Sequence, residues 1–163
     1  MHLLDVPSDG HCGFWCVAKA LRPHATLHDI FLLRKALSHY YLTHAIPSFD
    51  LTLDRELSPL ENARDSRHRW ATSQDFHYLA HLLRVNIVML YFDTHSRLHA
   101  MVFPDLPRAR YHFPLCDRPV ITIMNTTHFP GIHYEHYMSV QINTKTLLQS
   151  HDHVERLQLA RLI

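Results

Sequence analysis

"SDGHCGFWCVAKAL", Ser8 to Leu21, sets two of the chain's three glycines on either side of one cysteine and runs straight into an apolar stretch. Glycine loses more freedom on folding than any other residue, so it belongs where the backbone turns sharply or approaches another group closely. Gly10 and Gly13 therefore shape the surroundings of Cys12. The run "FWCVAKAL" reads as a helix that starts near Gly13 and is stopped by Pro23. A thiol at a helix N-terminus lies among unpaired N–H groups that favour the thiolate. The backbone N–H groups of Gly10, His11 and Cys12 are candidate donors to a developing oxyanion. The same residues also fit a small buried cysteine at an ordinary helix start, and the local pattern leaves both readings open.

The chain has 163 residues, 47% hydrophobic and 19% charged, with a net charge of +1. That is the size and composition of one globular domain, 1–163, able to bury a core. The near-neutral charge gives no argument for nucleic acid or an acidic membrane surface, and no segment approaches the length of a membrane span. Cys12, Cys16 and Cys116 have no disulfide-framework spacing, which suits a reducing, cytoplasmic compartment. No signal peptide precedes the cysteine motif, and only seven residues lie ahead of Ser8, as in a domain excised from something longer.

Working outward, "LHDIFLLRKALSHYY" (Leu27 to Tyr41) has helical spacing at Ile30, Leu33, Leu37 and Tyr40. Residues 47–69 are polar and mixed, with a short helix expected around Leu57 to Ala63. "ATSQDFHYLAHLLRV" predicts a third helix with Thr72 or Ser73 as its N-cap. "NIVMLYF" (Asn86 to Phe92) and "VITIM" (Val120 to Met124) read as buried strands, "RLHAMVF" (Arg97 to Phe103) as a further strand, and "HYMSVQI" (His136 to Ile142) as a half-exposed one. Pro104 to Pro119 reads as loop, and the tail from Leu147 as a last helix or a docked segment. The result is an α+β domain.

A catalytic thiol needs an imidazole as general base. Among 17 histidines, His133 and His136 stand out because they sit at the entrance to the last alternating strand. His24, His28, His95, His99, His151 and His153 lie in polar or loop contexts. His77 and His81 are spaced i, i+4 on a helix, but no glutamate completes a metalloprotease motif. A histidine-rich metal module built on Cys12 and Cys16 is the competing reading, although zinc sites show paired spacings that are not obvious here.

"DGHCGF", "WATSQDFHYLAHLLRVNIVML" and "HYMSV", in that order, resemble the ovarian-tumour (OTU) family of cysteine proteases over Asp5 to about Ile142. The resemblance implies a papain-like OTU fold, a small central β-sheet flanked by helices. It implies a monomeric deubiquitinase that hydrolyses the isopeptide bond at the ubiquitin C-terminus, with ubiquitin or polyubiquitin chains as partners and no cofactor, metal, nucleic acid or membrane. Cys12 is then the nucleophile. His136 is the base, since Tyr137, Ser139 and Val140 follow it at family spacing. Asp9 matches the motif aspartate that supports the oxyanion loop, with Gly10 and His11 forming the hole.

Met138 stands where many relatives carry an Asp or Asn that orients the imidazole. Asp5, upstream of the cysteine, or Asn125, at the end of "VITIM", is the replacement orienter, unless a dyad suffices. Trp15 and Trp70 are either core aromatics or substrate contacts. Asp50, Asp54, Glu56, Glu61 and Asp65 either meet the arginines of the ubiquitin tail or form a solvated face. A protease that processes its own polyprotein, and a ubiquitin-binding relative without turnover, are the alternatives.

Overall fold

The computed structural model describes residues 1–43, 71–103, 118–131 and 136–162. In chain order the elements are β1 (His2–Leu4), α1 (Cys12–Leu21), α2 (Leu27–Thr43), α3 (Ser73–Leu83), β2 (Asn86–Phe92), β3 (Leu98–Phe103), β4 (Val120–Asn125), β5 (Tyr137–Gln141), β6 (Leu147–Leu148) and α4 (His153–Ala160). The helix expected around Leu57 to Ala63 lies outside the described residues, as do Trp70, Cys116, His133 and the five acidic residues from Asp50 to Asp65.

The strands form one mixed sheet in the order β1-β5-β4-β2-β3, with β6 also paired to β4. β2 and β4 are parallel, with Ile87 opposite Ile121 and Tyr91 opposite Asn125; the other neighbours are antiparallel. This explains the unbroken apolar run of β2. Ile87 and Met89 face a core shared with Phe14, Cys16, Val17, Phe76 and Leu79. Val88 and Leu90 face a second core that includes Leu159 of α4. A strand covered on both faces has no polar side to alternate. Fully burying each of these side chains contributes roughly 1.5–3 kcal/mol.

α3 starts where its sequence indicates. Thr72 is the N-cap, and its hydroxyl accepts from the Asp75 N–H while the Asp75 carboxylate accepts from the Thr72 N–H at 2.7 Å, a complete capping box. The helix ends on Arg84 in the left-handed region, φ 57°. α1 packs on α2 and β5, and α3 on α2 and β2.

The two glycines around Cys12 answer to different constraints. Gly10 turns the chain at φ +85°, a conformation costly for any residue with a Cβ. Gly13 is a packing glycine: an added Cβ would stand 2.6 Å from the Ala71 Cβ and 3.0 Å from Phe76 Cζ. The missing side chain lets α1 lie against the start of α3 and the start of β5.

β1 is a short edge strand that the sequence pattern does not announce. Its register, Leu3 opposite Val140 and Leu4 opposite Ser139, decides the position of the residue that follows it, Asp5.

Candidate active site

β1 and β4 both run antiparallel to β5, so their C-terminal ends and the start of β5 share one end of the sheet. Asp5, Asn125 and His136 all lie there. α1 begins there too, because the loop after β1 turns at Gly10 and delivers Cys12 as the first helical residue.

Cys12 is 2% exposed and carries a free thiol. Burial pushes the thiol up from its ordinary value, opposed by N–H groups of Tyr137, Gly13 and Cys12 itself; the Asp9 carboxylate adds a smaller upward push. The helix N-terminus thus acts as its position suggests, and desolvation outweighs it. The Tyr137 N–H that reaches the sulfur belongs to the residue after His136, so the peptide carrying the imidazole borders the thiol.

His136 is 2% exposed and its Nε2 lies 3.0 Å from Asp5 Oδ1. Its carbonyl accepts from both the N–H and the hydroxyl of buried Thr126, at 2.9 and 3.0 Å. The backbone under the imidazole is thereby held from β4. Asp5 has a side chain 71% exposed, and its Oδ1 also accepts from the Val6 N–H at 2.9 Å. Of the two replacement orienters, Asp5 reaches the ring. Asn125 is occupied elsewhere: its Oδ1 accepts from the Thr127 N–H and hydroxyl, a local turn. Met138 is half-buried and packs into the apolar core on the α4 side of the sheet.

No protein-family model matches the sequence, and no curated protein does either. The structure, by contrast, superposes on a solved ovarian-tumour domain in complex with ubiquitin, with TM-score 0.63 and 20% identity, over 97% of this chain and 83% of that one. It is also similar to the viral OTU domain protease from Taggert virus, with TM-score 0.59 and 14% identity, over 85% of this chain and 77% of that one. The Hazara virus OTU bound to ubiquitin gives 0.53 and 16%, over 86% and 80%. The chain has the OTU fold.

Within the OTU fold the remaining expected residues separate clearly. Asp9 is a clamp: Oδ1 accepts from the His11 N–H at 3.0 Å and Oδ2 from the Trp15 indole N–H at 2.9 Å. Two expectations change as a result. The His11 N–H, expected among the oxyanion donors, is already donated to Asp9, which leaves those of Gly10 and Cys12. Trp15, expected as a possible substrate contact, is buried with its indole N–H taken by Asp9 and Lys19 5.6 Å above its ring, so it braces the loop. Cys16 sits one turn into α1, wholly buried, its thiol pushed up to about 12 by desolvation.

His24, His28, His95, His99, His151 and His153 are exposed. His77 is driven down to about 4 by burial and by its neighbour His81, edge-on to Phe103. Among the described residues no three His, Cys, Asp or Glu side chains converge as a metal site, and no helix is long and apolar enough to cross a membrane. A cleft of about 440 Å³ opens at the same end of the sheet as Asp5 and His136, lined by Met89, Tyr91, Met101, Asn125 and His128 among others. Sequence reasoning missed Thr126 and the packing role of Gly13; the only written signal for either was a threonine after an apolar strand and a glycine inside a helix.

Proposed function

We propose that the chain is a cysteine-dependent deubiquitinase that cleaves the peptide or isopeptide bond at the ubiquitin C-terminus. The observation that carries this reading is the buried His136 held by Asp5 through Nε2, one residue before Tyr137, whose N–H favours the Cys12 thiolate. A carboxylate only accepts, so the neutral ring carries its proton on Nε2 and offers the Nδ1 lone pair. Nδ1 takes the Cys12 proton as the sulfur attacks the ubiquitin carbonyl carbon, so a C–S bond forms and the carbonyl electrons move to oxygen. The Cys12 and Gly10 N–H groups receive that oxyanion. The imidazolium, stabilised by Asp5, returns its proton to the departing lysine amine as the C–N bond breaks. Water, deprotonated by His136, then opens the thioester and frees the ubiquitin carboxylate with the thiol restored.

The raised thiol fits a mechanism in which the sulfur ionises as it attacks rather than resting as a free thiolate. The cleft of about 440 Å³ at this same end of the sheet, beside Asn125, offers an extended tail an apolar wall of Met89, Tyr91 and Met101. The test is a ubiquitin-based C-terminal electrophile together with a panel of ubiquitin chains. Wild type is expected to form a covalent adduct at Cys12 and to cleave chains, and Cys12→Ala and His136→Ala to do neither. A folded wild-type protein inert in both assays overturns the proposal.

A further inference from the structure

The buried pair formed by His11 and Arg34 has no part in the scheme above. Arg34, on α2, is 2% exposed, and its guanidinium carbon lies 4.5 Å from the centre of the Phe14 ring. Its Nη1 lies 3.3 Å from Nδ1 of His11, which is itself buried and edge-on to Phe31. A guanidinium has only donors, so this contact requires the Nδ1 lone pair and places the ring proton on Nε2. The backbone of His11 is engaged on both sides as well: its N–H donates to Asp9, and its carbonyl accepts from the Trp15 N–H at 2.8 Å.

We propose that Arg34 is a positioning residue for the nucleophile loop, fixing His11 as the neutral Nε2–H tautomer and so anchoring the peptide units on either side of His11, directly ahead of Cys12. Asp9 and Trp15 tie the loop to its own segment; Arg34 ties it by a polar contact to α2, 23 residues further along the chain, beside the Phe31 ring. Two charged groups face His11: Arg34 from α2 and Asp9 from the loop. Burial lowers the ring from its ordinary value, Arg34 lowers it further, and Asp9 opposes. Protonation would set a ring N–H against the guanidinium and break the tie, so the loop keeps its shape only while His11 is neutral. The catalytic consequence rests on Cys12 being the nucleophile; the tautomer does not.

The test uses the full chain with 15N-labelled histidine and long-range 1H–15N spectra, His11 being assigned by the signal lost in His11→Asn. In wild type His11 is expected as the Nε2–H form, with a midpoint below that of the exposed histidines. In Arg34→Met it is expected to show mixed tautomers and a midpoint moved upward. In turnover assays Arg34→Met and His11→Leu are expected to lower kcat about tenfold with KM within about twofold, since small misplacements of a reacting group cost rate rather than binding. His11→Asn, whose amide oxygen can replace Nδ1 as acceptor, is expected to recover most of the loss. If Arg34→Met does not fold, the wild-type spectrum and the His11 pair of variants decide. An Nδ1–H or mixed His11 in wild type overturns the proposal, as does His11→Leu with unchanged kcat or with His11→Asn no better. If the chain does not cleave ubiquitin, the spectra still decide the tautomer, so the two readings fail separately.

Discussion

Replacing Asp5 separates rate from stability. The Asp5–His136 contact is one hydrogen bond of 3.0 Å, buried on the imidazole side and 71% exposed on the carboxylate side. A hydrogen bond to a carboxylate this open to water contributes about 0–1 kcal/mol to folding, so Asp5→Ala should move Tm by no more than about 4 °C. In the proposed mechanism the transition state differs, because the imidazole becomes charged there. A hydrogen bond to a charged group is worth about 1.5–3 kcal/mol, or about 10- to 100-fold in rate. Asp5→Ala is expected to lower kcat by that factor with KM nearly unchanged. Asp5→Asn, which keeps a neutral acceptor for Nε2–H, should fall between. Steady-state kinetics on a fluorogenic ubiquitin C-terminal amide, with melting curves on the same samples, measure both quantities. A kcat within twofold of wild type in folded Asp5→Ala refutes the reasoning, because the imidazole would then be oriented by something else.

Gly13→Ala drives a methyl group to 2.6 Å from the Ala71 Cβ; overpacking of this kind costs about 1–3 kcal/mol, so Tm should fall by about 3–10 °C in thermal melts. Alkylation followed by intact mass should find Cys12 slow at neutral pH, with a rate that climbs through a midpoint above the ordinary thiol value, while Cys16, at about 12, stays unmodified in the native protein. Asp152 is held below the usual carboxylate range by Lys145 at 2.6 Å and then by the Gln149 N–H. Its stabilisation is therefore present above the ordinary carboxylate pKa and lost as pH falls through the lowered one. Asp152→Asn should flatten the acid side of a denaturation profile, and an unchanged profile would count against the pair.

The elements legible in the sequence are those whose signal is local. α3 declares its start through Thr72 and Asp75, and β2 declares its double burial through seven apolar or small polar residues in a row. The cysteine loop is legible because two glycines and a thiol in four positions have few other uses. β1 is not: three residues acquire a strand's identity only from β5, far along the chain. For the same reason Asp5 could be named only as one of two orienters, and the choice over Asn125 waited for the register that brings β1 beside β5. The fates of the His11 N–H and the Trp15 indole were hidden because a donor's partner depends on where the Asp9 side chain swings. No spacing rule states that.

On the proposed mechanism, the register of β1 also governs when the site can assemble. Asp5 and His136 are separated by 131 residues, and drawing such distant points together costs about 4 kcal/mol of chain entropy before any contact returns it. A polypeptide emerging from the ribosome exposes its sulfur long before the imidazole has been synthesised, and the carboxylate stays untethered until β5 arrives to hold it. In the unfolded chain the thiol keeps its ordinary value, and the imidazole and carboxylate of the proposed mechanism join it only when the sheet closes its far edge.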